Sequence, residues 1–163
     1  PFIRPDEFAQ DDTRDYPVIR HALDFFEARG QIFDLYILLR PTSPMRPSGL
    51  IEKAIEILKG NTNITSVRSM TRIKEHPYRA WKRHDDGSIS GFIDNEIESY
   101  NIPRQELPNL YFQTGDIEAI RRETIINGSV SGDCVFPLII KHDEMIDIDN
   151  ESDFNRAEQS SFV

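Results

Sequence analysis

Apolar positions Val18, Ile19, Ala22, Leu23 and Phe26 recur at helical spacing after Pro17, a residue suited to a first helical turn, and Gly30 supplies a stop. The next run, Ile32 to Leu39, is short and nearly all apolar. Bounded by breakers, it predicts a strand covered on both faces, as in a parallel sheet. Arg40-Pro41-Thr42-Ser43-Pro44 then forces a loop. Ser48 is placed to cap a second helix with the stripe Leu50, Ile51, Ala54, Ile55 and Leu58, ended by Gly60, and the β-branched run Ile64 to Val67 predicts another strand. Helix, strand, helix, strand with short connections implies right-handed crossovers onto a parallel sheet, hence an α/β layered fold.

From Glu75 to about Gln113 the pattern breaks into short segments carrying His76-Pro77, Asp86-Gly87, Ile102-Pro103 and Leu107-Pro108. Asp86-Gly87 between Trp81 and Ile89 is a hairpin signal, so this stretch predicts an excursion from the sheet, a flap or an oligomer arm. The layered pattern then returns: Gly115 to Ile126 as strand then helix, Val135 to Ile140 as strand, Ser152 to Ser160 as a closing helix. No internal repeat or low-complexity tract interrupts the chain.

The chain has 163 residues with 28 acidic and 19 basic side chains, a net charge of -9. That sign argues against nucleic acid as a partner, which demands a basic footprint. A hydrophobic fraction of 38% supports a packed core rather than disorder. No apolar run is long enough to span a bilayer, so a soluble protein with no membrane partner is expected. The single cysteine, Cys134, fits a reducing cytosol, and cytoplasmic location is the expectation. Cys134 reads either as a catalytic thiol or, as the bland and favoured alternative, as a small buried residue in an apolar run. The first residue is Pro1, consistent with a start partway through a longer protein.

Four features can carry chemistry. The loop Arg40 to Arg46, beyond a strand's carboxyl end, offers two arginines and two hydroxyls to an anion, or is an ordinary loop before a capped helix. Asp147-Ile148-Asp149, if extended, puts two carboxylates within about 7 Å on one face, able to hold one Mg²⁺. Alternatively Asp149 or Asn150 simply starts the last helix. Ile64 to His84 carries Arg68, Arg72, Lys74, Arg79, Lys82 and Arg83 against Glu75, a local +5 that suits an acidic substrate, a nucleic acid, or merely a solvated flap. The histidines His21, His76, His84 and His142 lack zinc-ligand spacing, and His21 reads as a packed helix residue. Serine-nucleophile, Walker-type and dinucleotide glycine motifs do not occur.

Six short segments, in order, resemble one family. Arg4-Pro5-x-Glu7-Phe8-Ala9 with Asp11 resembles RPxELAxD, and Val18 to Leu23 resembles V-I-x-H-A-L. Leu38 to Arg46 resembles LLQPTSPLR. His76-Pro77, Pro103 to Pro108 and Ile146-Asp147-Ile148-Asp149 resemble HP, PRQxLP and S-I-D-I-D. Together, from Arg4 to about Glu158, they resemble the acylneuraminate cytidylyltransferases, or CMP-sialic acid synthetases, with the Kdo-activating enzymes as close kin.

The resemblance implies a Rossmann-like three-layer nucleotidyltransferase fold over residues 1–163, with a mostly parallel sheet and a protruding β-rich dimerisation arm at about 75–113. It implies attack of a nonulosonate's anomeric hydroxyl on the α-phosphate of CTP, giving CMP-sugar and pyrophosphate, in a homodimer. Asp147 and Asp149 match the family's Mg²⁺ aspartates, Arg4 an arginine on the nucleotide, and Arg104 one on the acidic sugar. Arg79, ahead of Lys82, lies where the family has a substrate-binding lysine. Three departures stand out. Arg40 replaces a glutamine that contacts the sugar, and arginine can grip a carboxylate or phosphate bidentately. Thr114-Gly115-Asp116-Ile117-Glu118 stands where many members have NGAIY. Nothing corresponds to the family's N-terminal phosphate loop, which implies the C-terminal portion of a longer enzyme, or a non-catalytic sugar-acid binding or dimerisation module.

Overall fold

The structure, a computed structural model, describes residues 2–94, 97–141 and 146–160. Its elements follow the order α1 (Asp15–Glu27), β1 (Leu35–Leu38), α2 (Leu50–Gly60), β2 (Ser66–Arg72), β3 (Trp81–Arg83), β4 (Ile89–Gly91), β5 (Tyr111–Arg121), α3 (Arg122–Ile126), β6 (Val135–Ile139) and α4 (Glu151–Ser160). The chain divides into two compact units, Pro1–Met70 with Gln113–Val163, and Thr71–Phe112.

In the first unit a four-stranded sheet has the order β1-β5-β2-β6. β2 and β6 are parallel, and β1 is antiparallel to β5. Arg121 N–H donates to the Thr65 carbonyl while Ile117 N–H donates to Ser69 Oγ, so β5 also runs against β2. Three strands therefore share one direction and β5 opposes them, in keeping with the mostly parallel sheet expected, though an undirected apolar run could not reveal which strand is reversed.

The period of two along β5 sorts its side chains between two clusters. Ile117 and Ala119 join Leu50, Ala54 and Leu58 of α2, with Ile64, Val67 and Ile140. Ile120 joins Ile19 and Leu23 of α1, with Ile125. Helices thus cover both faces of β5, giving the three-layer α/β architecture expected. Full burial of a side chain such as Leu23 contributes about 1.5–3 kcal/mol.

Three local expectations need correction. β1 is shorter than Ile32 to Leu39 and only half-buried, because it lies at a sheet edge with Ile32, Phe33 and Leu39 exposed. Ser48 does not cap α2; Gly49, at φ 75°, takes the N-cap position with no side-chain bond. Cys134 is exposed rather than buried, because it precedes β6, which ends the sheet among the described residues, a place where Pro137 is tolerated.

In the second unit β3 and β4 form the antiparallel hairpin read from Asp86-Gly87. His76 accepts from the Tyr78 N–H at its Nδ1, and its Nε2 lies 3.1 Å from the Pro108 carbonyl oxygen, tying the two ends of this unit.

Candidate active site

Arg40 begins the loop after β1, and its guanidinium turns back onto the protein. One nitrogen lies 2.5 Å from Asp15 Oδ2, at the start of α1, and 3.1 Å from Glu118 Oε1 on β5. Burial opposes the Arg40 charge, but the bonds to Glu118 and Asp15 outweigh it and raise its pKa. Arg46 donates through Nε to the Asp116 carbonyl at 2.6 Å and through Nη2 to the Arg40 carbonyl. Ser43 is buried. The loop's cations therefore hold the loop on β5, and of its two hydroxyls only Thr42 is exposed.

β5 carries the most unusual chemistry. Residues 114–120 are all buried, and they include two acids, Asp116 and Glu118, each 1% exposed. Glu118 is compensated: Arg40 and Arg68 each place a nitrogen 3.1 Å from its carboxylate, and Gln113 donates to it at 3.1 Å. Asp116 is not. Among the described residues neither of its carboxylate oxygens has a hydrogen-bond partner, and the nearby Thr114 hydroxyl donates to Ser69 Oγ at 2.8 Å. Burial pushes the Asp116 pKa up; Thr114 and Arg46 oppose the shift, and the Asp147 charge adds to it. Gly115, at φ 76°, turns the backbone ahead of Asp116 at no steric cost. A side chain at Gly115 would meet Arg40 Cδ at 3.0 Å.

Asp147 is half-buried, and its Oδ1 is buried with no hydrogen-bond partner among the described residues. Ile148 N–H donates to the Thr42 carbonyl at 2.8 Å, so this segment is pinned to the loop that also holds Asp116. Asp149 is exposed, and its N–H lies 3.4 Å from Asp153 Oδ2. Asn150 caps α4 by accepting from Asp153 N–H at 3.1 Å. The helix-start role thus falls to Asn150, and the Asp147 charge also reaches the Asp116 carboxylate. Sequence reading noted the departure at Asp116 but did not name it as a site residue.

Asp147 and Asp116 fit a divalent cation, since each leaves buried carboxylate oxygen unsatisfied. Among the described residues no group of three or more His, Cys, Asp and Glu side chains gathers as a ready cage. Mg²⁺ habitually accepts one or two carboxylates and completes its shell with water and phosphate oxygens.

In the second unit a cavity of about 800 Å³ is lined by Arg72, Lys74, His76, Arg79 and Arg104, with Glu75 as its acid. Two residues singled out from the sequence, Arg79 and Arg104, thus share one wall. Arg79 spends two donors on the Tyr100 and Ile102 carbonyls at 2.6 and 2.7 Å. Arg104 is exposed. Lys82 pairs with Asp94 at 2.9 Å and does not line the cavity. The +5 stretch is therefore dispersed: Arg68 serves Glu118 and Arg72 donates to Asn109. Arg4 is exposed near the N-terminus, where Phe2 and Phe8 pack on His21 with ring centroids 5.1 and 5.8 Å away. His142 lies outside the described residues.

No family model matches the chain. An N-acylneuraminate cytidylyltransferase of Escherichia coli O18:K1:H7 is 26% identical over 155 residues, covering 95% of this chain and 35% of that protein. A CMP-N,N'-diacetyllegionaminic acid synthase of Legionella pneumophila is 29% identical over 161 residues, covering 98% of this chain and 67% of that protein. The chain thus spans about a third of the length of the E. coli relative. A solved CMP:2-keto-3-deoxy-manno-octonic acid synthetase complexed with CTP superposes with a TM-score of 0.60 at 13% identity, covering 94% of this chain and 70% of that one. A 4-diphosphocytidyl-2C-methyl-D-erythritol synthase from Anaerococcus prevotii gives 0.55 at 13%, covering 93% and 68%. The chain shares the fold of these two enzymes, and over nearly its whole length its sequence is similar to those of N-acylneuraminate cytidylyltransferases.

Proposed function

We propose that the chain is the sugar- and cation-handling part of a nucleotidyltransferase that joins CMP from CTP to a sialic-acid-like nonulosonate, releasing pyrophosphate. The observation that carries this reading is the pinning of the Arg40 to Arg46 loop to Asp147-Ile148-Asp149 through Ile148 and Thr42, with a bare Asp147 oxygen beside it. These are two of the segments in which the family resemblance lies. Asp147, with Asp149 as the family pattern has it, would hold Mg²⁺, which when bound neutralises phosphate charge. Arg4 is assigned to the nucleotide, and Arg79 and Arg104 to the sugar's carboxylate, whose charge suits their basic cavity. Arg40, held by Glu118 and Asp15, shapes the sugar pocket rather than reaching freely for an anion. Catalysis on this reading is positioning and charge neutralisation of reactants already activated by the triphosphate.

The hairpin unit Thr71–Phe112 is assigned as a homodimer arm, on its exposed Trp81, Ile89, Phe92 and Ile97. Sedimentation equilibrium checks this: a monomer at all micromolar concentrations refutes it. No helix among the described residues is long and apolar enough to cross a membrane, and with one free thiol we place the protein in the cytosol.

The function is tested by incubating the chain with CTP, Mg²⁺ and N-acetylneuraminate or N,N'-diacetyllegionaminate, following pyrophosphate and CMP-sugar. Product with either sugar supports the enzyme reading. Calorimetric binding of a nonulosonate with no binding of CTP and Mg²⁺ assigns the chain to a sugar-acid binding module instead. Binding of neither removes both readings.

A further inference from the structure

Asp116 is the residue this fold treats most strangely. A carboxylate 1% exposed with neither oxygen hydrogen-bonded among the described residues normally costs the fold free energy, because water's hydrogen bonds are lost, and the Thr114 and Arg46 contributions do not outweigh that burial. Flexibility does not relieve it. The Asp116 carbonyl is clamped by Arg46 Nε at 2.6 Å, and the next N–H, of Ile117, is bonded to Ser69 Oγ at 3.0 Å. The surrounding cations are committed elsewhere: Arg46 to two backbone carbonyls, Arg40 and Arg68 to Glu118. The charge close enough to act on Asp116 from the 146–149 segment is Asp147, another acid, whose Oδ1 is also buried and bare. Two like charges with unsatisfied oxygens repel as they stand, and a divalent cation converts that repulsion into a ligand pair.

We propose that Asp116 supplies a further protein carboxylate, directly or through a water, to the divalent cation assigned to Asp147 and Asp149, at a position where the family pattern has alanine. The proposal rests on the reading of Asp147 as a metal residue and adds to it. It makes the cation site of this chain straddle β5 and the segment before α4, with the Arg40 to Arg46 loop between them as the spacer that fixes their separation. A site with one more fixed negative charge binds the cation more tightly before the nucleotide arrives. A site without it would depend more on the triphosphate to bring it.

The test uses Mn²⁺ as probe, titrated into the whole chain alone and with CTP, and followed by electron paramagnetic resonance of free Mn²⁺ and by melting temperature. The variants are Asp116→Asn, which keeps shape, Asp116→Ala, which restores the family residue, and Asp147→Asn. Wild type is expected to bind Mn²⁺ and to melt higher with it. Asp116→Asn and Asp116→Ala are expected to weaken binding about tenfold or more, equivalent to about 1.4 kcal/mol, and to lose most of the Mn²⁺-induced rise in melting temperature. Their melting temperature without metal should equal or exceed that of wild type, which separates loss of a ligand from loss of the fold. Unchanged Mn²⁺ affinity in both Asp116 variants, with loss in Asp147→Asn, overturns the proposal and leaves Asp147 standing. No Mn²⁺ binding by wild type, with or without CTP, overturns both. A metal-free melting temperature that falls in both Asp116 variants also counts against it, since Asp116 would then be a stabilising core residue.

Discussion

Replacing Glu118 with glutamine removes one charge from a buried cluster and leaves its shape intact. The carboxylate is 1% exposed, with an arginine nitrogen 3.1 Å away on either side. At an effective dielectric of about 20, each pair at that separation is worth about 5 kcal/mol of gross attraction. Glutamine recovers several kcal/mol of the carboxylate's desolvation penalty. Neither arginine is stranded, since Arg40 keeps Asp15 at 2.5 Å and Arg68 keeps Gln113 and Ser131 at 2.5 and 2.9 Å. The net cost is therefore expected toward the low side of that for breaking a buried pair, about 2–4 kcal/mol. For a chain of this size that lowers the melting temperature by about 5–15 °C.

The sharper measurement is a double-mutant cycle between Glu118→Gln and Arg40→Gln, the second restoring the family's residue. If Arg40 and Glu118 replaced Gln and Tyr as a unit, the two changes should be coupled by about 1–3 kcal/mol, the double variant losing less than the sum. Urea unfolding of the four proteins reads this directly. Additivity within about 0.5 kcal/mol, or a Glu118→Gln variant as stable as wild type, refutes the pairing and returns Arg40 to the role of a free anion ligand.

Gly132→Ala should destabilise by about 2–4 kcal/mol in a calorimetric scan, because the new Cβ would lie 2.5 Å from Thr65 Cβ at a φ of 68°, and Thr65 Oγ1 is fixed by Ser131 and Cys134. The Ser88 hydroxyl and N–H hold the Asp86 carboxyl below the ordinary carboxylate range, so its support of the hairpin turn is present above its unfolded pKa and is lost as pH falls through the lowered folded value. A ¹³C titration of the Asp86 carboxyl should show that depression in wild type, and Ser88→Ala should largely remove it. Arg79→Lys should speed hydrogen exchange across 99–102, since a lysine cannot hold the Tyr100 and Ile102 carbonyls together. Unchanged exchange would mean that these bonds do not order the segment.

Both α1 and α2 were legible because an amphipathic stripe is a local property: the spacing that predicts each helix also names the faces that reach the core through Ile19, Leu23, Leu50, Ala54 and Leu58. The hairpin was legible for the same reason, since Asp86-Gly87 carries its turn within itself. What failed depended on partners distant in sequence. The apolar run before Arg40 says nothing of strand order, and β1 proves to be an edge. Nothing local in the sequence pairs Glu118 with Arg40, 78 residues away, until the fold brings the two together. Ser48 has the right chemistry to cap α2, but Gly49 turns the chain one residue later. In the candidate site, resemblance led to Asp147, Asp149 and the arginines, yet gave Asp116 only as a departure. A buried acid with no hydrogen-bond partner among the described residues leaves no local signature to read.

Asp116 and Glu118 form the pair in which these arguments meet. They are two residues apart on one strand, equally buried, and of the same chemistry, yet Glu118 is ion-paired with two guanidinium groups, while among the described residues Asp116 has no ion pair and feels Arg46 as a nearby charge. Neutralising them should therefore have opposite effects on the metal-free chain. Glu118→Gln removes a compensated charge and destabilises. Asp116→Asn removes a charge that burial disfavours while keeping a buried polar group, so the metal-free chain is expected to be at least as stable as wild type. Saturating Mn²⁺ should narrow or reverse the second difference, because only the wild-type carboxylate gains from the cation. Two variants that shift stability in the same direction without metal would mean that Asp116 is compensated by something the fold supplies, and the case for a cation there would lose its physical basis.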